Sequence, residues 1–231
     1  MNAPLKAPIN LLWSTANALG HPFFMPIYGF LLLHYKSRWS YEHWQSFWAI
    51  VLVLVVLPLL IYPLLKRADK VHSLHLRAVQ ERTWPLGINI LLWSLMLLMS
   101  SKALTPNPKI ILDSRLFYFF TGATLSMVLA FLMSLLKHKS SLHLMGCGGL
   151  AAWLLFKTFD HTLLQQPHGA DPWVDFSVTL STMMLVLIGL IWVALARYYS
   201  RAHNIPELIS GFLAGLLPQF LVAEYLHLIL Q

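Results

Sequence analysis

Ser177-Val-Thr-Leu-Ser-Thr-Met-Met-Leu-Val-Leu-Ile-Gly-Leu-Ile-Trp-Val-Ala-Leu-Ala196 runs for twenty residues without a charged side chain. An α-helix rising about 1.5 Å per residue needs about that length to cross a hydrocarbon layer about 30 Å thick. Leu116–Leu136 and Trp44–Leu65 are equally free of charge. Of the 231 residues, 58% are hydrophobic and 11% are charged, and mean hydropathy is +0.64. Soluble domains carry about 25% charged residues. The composition therefore reads as a multi-pass integral membrane protein, an all-α polytopic bundle in which each spanning helix satisfies its own backbone. One membrane domain, 1–231, accounts for the whole length.

Outward from that stretch, seven candidate spans follow, at about 9–33, 44–65, 84–101, 116–136, 142–159, 177–196 and 207–229. Gly20-His21-Pro22 and Met25-Pro26 interrupt the first. A kinked or partly re-entrant segment is expected there, so the count is six or seven. Trp44, Trp48, Tyr62, Trp84, Tyr118, Trp173, Tyr198 and Tyr199 fall near predicted ends, as an interfacial aromatic belt requires. No removable signal peptide is read at the N-terminus. A single cysteine, Cys147, excludes an internal disulfide and any multi-cysteine metal site.

The net charge of +7 does not point to nucleic acid, because the basic residues stand singly between apolar runs. Lipid headgroups or an anionic substrate suit that distribution better. With seven spans, the loops 66–83, 137–141 and 197–206 share the side of the N-terminus. That side holds ten of the sixteen basic residues, which points it to the cytoplasm. Setting aside Arg82, Lys139 and Arg197 as chemistry leaves seven against six, and the orientation stays open.

Those three loops each open a span, and each carries polar groups suited to phosphate. They are Glu81-Arg82-Thr83-Trp84-Pro85, Lys139-Ser140-Ser141-Leu142-His143, and Arg197 through His203 to Glu207. Three cations and two histidines on one interface would bind a phosphate and serve both its attack and its departure. His72 and His75 have the spacing of a helical metal pair, but no carboxylate or thiol completes the set, so neither a metal site nor a cofactor is expected.

The three segments resemble the motifs of the type-2 phosphatidic acid phosphatase superfamily, which includes the vanadium haloperoxidases. The family's third motif is matched by Ala196-Arg197, five residues, His203, three residues and Glu207, with glutamate standing for aspartate. The second is matched by Ser140-Ser141-Leu142-His143, and the first by Arg82-Thr83-Trp84-Pro85, with His75 where the family has lysine. The likeness covers about thirty residues in three patches in the family's order.

The resemblance implies a metal-independent phosphatase acting on a phospholipid or polyprenyl phosphate or pyrophosphate, through a phosphohistidine. His203 would be the nucleophile, Glu207 would hold its Nδ1 proton, and His143 would protonate the leaving oxygen. Arg82, Lys139, Arg197 and Ser141 would bind the phosphate oxygens. Structural readings stand beside these. Arg197 can be an arginine snorkelling from a span end, and Lys139 an ordinary flanking lysine. Glu207 can close an Asn204-x-x-Glu207 capping box, and Ser141 can be a helix N-cap. The rival function is a non-catalytic lipid-binding scaffold or transporter-like protein that retains the fold.

Overall fold

The computed structural model describes residues 7–34, 40–72, 78–100, 114–163 and 172–229. His75, Arg77, the basic residues Lys6, Lys36, Arg38, Lys102 and Lys109, and positions 164–171 lie outside them. Every regular element among the described residues is a helix: α1 Ala7–Leu19, α2 Met25–His34, α3 Tyr41–Val51, α4 Leu57–Arg67, α5 Thr83–Ser100, α6 Ser114–Leu135, α7 Leu142–Leu163, α8 Pro172–Tyr199 and α9 Ile205–Ile229.

Proline chemistry shapes the first two segments. His21 precedes Pro22, whose ring excludes the α region for the preceding residue. It is accordingly extended, with ψ 134°, and a single 3-10 turn over Pro22–Phe24 leads into α2. The break expected in the first segment thus falls at Gly20–Phe24. Further on, Pro58 lacks the N–H that an α-helix would use. The turn before it widens into a π segment over Leu52–Val56, with Leu57 N bonded to Leu52 O, so α3 and α4 run on without a gap.

Four described helical stretches are long and apolar enough to cross a membrane: Tyr41–Arg67, Leu116–Leu135, Leu180–Tyr199 and Ile205–Tyr225. Pro22–Leu32 and Leu142–Leu155 are shorter apolar helices. On α8 the outward side chains include Leu185, Leu187, Ile188 and Ile191, all exposed. A helix in water puts polar residues on that face, whereas one that is apolar all round belongs in lipid or a protein core. Inside, Trp93 meets Phe120 and Phe119 meets Trp153, each pair at 5.4 Å between ring centroids.

The closest helix pair is α7 with α9, and small residues make it so. A Cβ on Gly215 would run into Met145 O, one on Gly148 into Phe212 O, and one on Gly211 into the main chain of Ser141. Backbones that approach this closely gain dispersion contacts that side chains would otherwise hold apart. A main-chain bond joins the two helix starts, Ser141 N to Glu207 O at 3.0 Å. Gln219 on α9 crosses to α6, donating to Phe119 O at 2.9 Å.

Helices α4, α6 and α8 end alike. In each, one N–H reaches back five residues and the preceding one three: Lys70 to Leu65 and Asp69 to Lys66, His138 to Met133 and Lys137 to Ser134, Ala202 to Arg197 and Arg201 to Tyr198. This is the Schellman arrangement, whose C′ residue is left-handed and usually glycine. Here it is Asp69, Lys137 and Arg201, with φ of 53°, 59° and 54°. Each helix therefore stops sharply, and the chain turns back over its end.

Candidate functional site

The turn at the end of α8 returns His203 to the residue that began it. Arg197 O accepts from both Ala202 N, at 3.1 Å, and His203 N, at 3.3 Å. Two residues later α9 begins, and its free N–H groups need acceptors. Asn204 supplies one: its Oδ1 accepts from Glu207 N at 2.9 Å, and Glu207 Oε2 accepts from Asn204 N at 3.4 Å. That is the reciprocal capping box.

The same Glu207 Oε2 accepts from His203 Nδ1 at 2.8 Å and lies 3.6 Å from Lys139 Nζ. The cap and the imidazole partner are one carboxylate. Because a carboxylate only accepts, the His203 proton is fixed on Nδ1 and the lone pair on Nε2. Among the described residues nothing hydrogen-bonds that Nε2.

Burial holds His203 below the usual histidine range, at about 4. The positive charge of Arg197 pushes the same way, the bond to Glu207 opposes it, and Arg82 and Lys139 add to the depression. The imidazole is therefore neutral at physiological pH.

The three cations reach the site from three loops. Arg82, buried just before α5, donates to Ser140 O at 2.6 Å. Burial lowers its pKa and Glu207 raises it, but a guanidinium stays protonated throughout. Lys139, just before α7, donates to Ala202 O at 2.8 Å and so ties the second loop to the third. Arg197, at the end of α8, donates through Nη1 to Asn17 Oδ1 at 3.4 Å. Among the described residues, its buried Nε has no hydrogen-bond partner.

His143, in the first turn of α7, lies within electrostatic range of Arg197 and His203. Its Nε2 is 3.2 Å from Asn17 O, and a carbonyl accepts only, so Nε2 carries the proton there. His21 meets the ring edge-on, with centroids 5.2 Å apart.

Ser141 stands apart. It is fully buried, its N–H bonded to Glu207 O and its Oγ 3.5 Å from Leu144 N at the start of α7. It caps a helix and holds two helix starts together. Arg82, Lys139, Arg197, His203 and Glu207 are joined to one another or act on one another's charge, and His143 borders them.

Two members of the site carried no motif: Asn17 and His21, both at the end of the first segment. Their only sequence signal was the helix break at Gly20-His21-Pro22. Among the described residues, no three His, Cys, Asp or Glu side chains group as a metal-ligand set. Comparison with protein-family models, with curated proteins and with solved structures yields no match.

Proposed function

We propose that the protein is a polytopic membrane phosphatase that hydrolyses a lipid phosphate or pyrophosphate through a phosphohistidine, in the manner of the type-2 phosphatidic acid phosphatases. The single observation that carries the reading is the buried imidazole of His203, neutral and tautomer-fixed by Glu207, under the field of Arg197, Arg82 and Lys139. A nucleophile, its orienting base and phosphate-binding cations are the parts phosphoryl transfer needs, since the enzyme's work there is positioning and charge stabilisation.

In this reading His203 Nε2 attacks phosphorus while the leaving oxygen departs with a proton from His143. Glu207 keeps the Nδ1 proton and stabilises the imidazolium character that develops in the ring. Arg197 offers its buried Nε–H to a nonbridging oxygen, and Arg82 and Lys139 complete the field around the equatorial oxygens. Water then attacks the phosphohistidine, with His143 taking its proton, and inorganic phosphate is released. The substrate is a lipid because the loops open apolar helices, which sets the phosphate pocket at headgroup depth on one membrane face. Six or seven spans, the first broken at Gly20–Phe24, make up the membrane domain.

The other reading, a non-catalytic lipid-binding scaffold or transporter-like protein, draws on the engagement of Lys139 by Ala202 O and on the closed setting of Ser141. Purified protein in mixed micelles separates the two when offered phosphatidic acid, phosphatidylglycerol phosphate, a polyprenyl pyrophosphate and a lipid A phosphate. Inorganic phosphate release that His203→Ala removes supports the phosphatase. No release from any of the four, by protein that is folded and monodisperse, overturns it.

A further inference from the structure

The first segment reaches the cluster through one residue. Asn17 lies about one turn along α1 from Trp13, which stacks on Tyr199 at 5.3 Å between centroids. Three residues further, Gly20 lies so close to Val193 that a Cβ would collide with it. Helix α1 thus runs against the last turns of α8, and Asn17 falls level with Arg197. Its side-chain Oδ1 accepts from Arg197 Nη1 at 3.4 Å, and its main-chain O accepts from His143 Nε2 at 3.2 Å. These contacts span 180 and 126 residues of sequence.

We infer that Asn17 is a positioning residue for anion binding, a role that rests on the phosphatase reading only through the identity of the anion. A guanidinium has two edges that can grip an oxyanion in two-point fashion, one of them formed by Nε–H and the neighbouring Nη2–H. With Nη1 held by Asn17, the guanidinium plane is fixed and the Nε edge is left over. That Nε is the buried atom without a partner. Burying an N–H with no acceptor is unfavourable, and an oxyanion seated on this edge relieves the cost. Arg197 alone, on a flexible stem, would lose rotamer entropy on gripping the anion. Asn17 removes part of that loss beforehand.

The main-chain contact acts on His143. With the Nε2 proton held by Asn17 O, the ring exchanges protons through Nδ1. As the imidazolium it gives the Nδ1 proton to the leaving oxygen. The neutral ring then takes one back at Nδ1 from the attacking water. Because that contact uses the main chain, replacing the Asn17 side chain leaves it in place, and the two roles can be tested apart.

Orthovanadate binding to the purified full chain in detergent, measured by titration calorimetry, reads the anion site without turnover. Asn17→Ala is expected to weaken vanadate about fivefold to tenfold, the net contribution of about one hydrogen bond, with melting temperature unchanged. In an Arg197→Lys background the same change is expected to do nothing more, because an ammonium has no planar edge to orient. Additive losses in the double variant would make Asn17 a mere prop for α1 and overturn the proposal, as would unaltered vanadate affinity in Asn17→Ala. Should Asn17→Ala fail to fold, Asn17→Ser, with a hydroxyl too short to reach Arg197, takes its place under the same criteria. Protein that binds vanadate in this pattern yet releases no phosphate from lipids keeps this inference and loses the phosphatase. Protein that binds no vanadate loses both.

Discussion

Replacing Glu207 by glutamine separates two jobs that one oxygen performs. In the native protein Oε2 accepts from His203 Nδ1 at 2.8 Å and from Asn204 N at 3.4 Å, with Lys139 Nζ 3.6 Å away. The amide keeps the length and one acceptor oxygen, so Asn204 Oδ1 still caps Glu207's own N–H and the helix start survives. The lost charge at a helix N-terminus costs about 0.3–1 kcal/mol. The contact to Lys139 adds less than about 1 kcal/mol, since both side chains are partly open to solvent. A fall of a few degrees in melting temperature is the expected limit. Turnover answers to a different quantity. The imidazole must carry positive character as it attacks, and the amide offers it no counter-charge and, in one orientation, a clashing N–H. Orienting carboxylates of this kind affect turnover by about a hundredfold to ten-thousandfold.

The pH profile gives an independent reading. The bond to Glu207 raises the His203 pKa against burial and Arg197. Removing the charge must therefore lower it, shifting the acid limb of kcat/KM to lower pH. Phosphate release and thermal unfolding on the same preparation decide the matter. A variant that retains a third or more of native turnover, with its acid limb unmoved, would refute the orienting role and leave Glu207 a helix cap.

Three further outcomes are expected. His203→Ala abolishes phosphate release while circular dichroism stays native, and release above background in folded protein would exclude His203 as nucleophile. In the native protein the acid limb of kcat/KM falls as pH drops through about 4, where free His203 takes up a proton. The limb of kcat lies higher, because a bound phosphate stabilises the imidazolium; a kcat limb at or below that of kcat/KM would contradict it. Gly211→Ala brings a Cβ to 2.8 Å from Ser141 N and closer still to Ser141 O. It should destabilise by about 1–3 kcal/mol, as overpacking does, and an unchanged melting temperature would contradict the packing argument.

Local patterns were legible in the sequence; distant partners were not. The Arg197, His203 and Glu207 spacing identified groups a few residues apart, and the local chain alone brings His203 and Glu207 within 2.8 Å. The Asn204-x-x-Glu207 box was readable for the same reason, and the capping and imidazole readings of Glu207 hold together because one oxygen has room for both. Apolar runs located the helices, since burial in lipid leaves composition as its mark. Asn17 and His21 were invisible as site residues, because nothing about an asparagine near a helix break announces a partner 180 residues away. Ser141 was readable as a helix N-cap, but the close approach of α9 at Gly211, which buries it between two helix starts, was not.

The bond between Ser141 N and Glu207 O, reinforced by the bare backbone of Gly211, joins main chain to main chain. That bond itself uses no side chain at 82, 139, 203 or 207. The polar residues are tenants of a frame that stands without them. In the proposed reading, substitutions at those four positions retune affinity or chemistry one at a time, at a modest cost in stability of the kind worked out for Glu207. A lineage built on such a frame is free to drift in substrate, or to fall silent as a catalyst, while its glycines stay where they are.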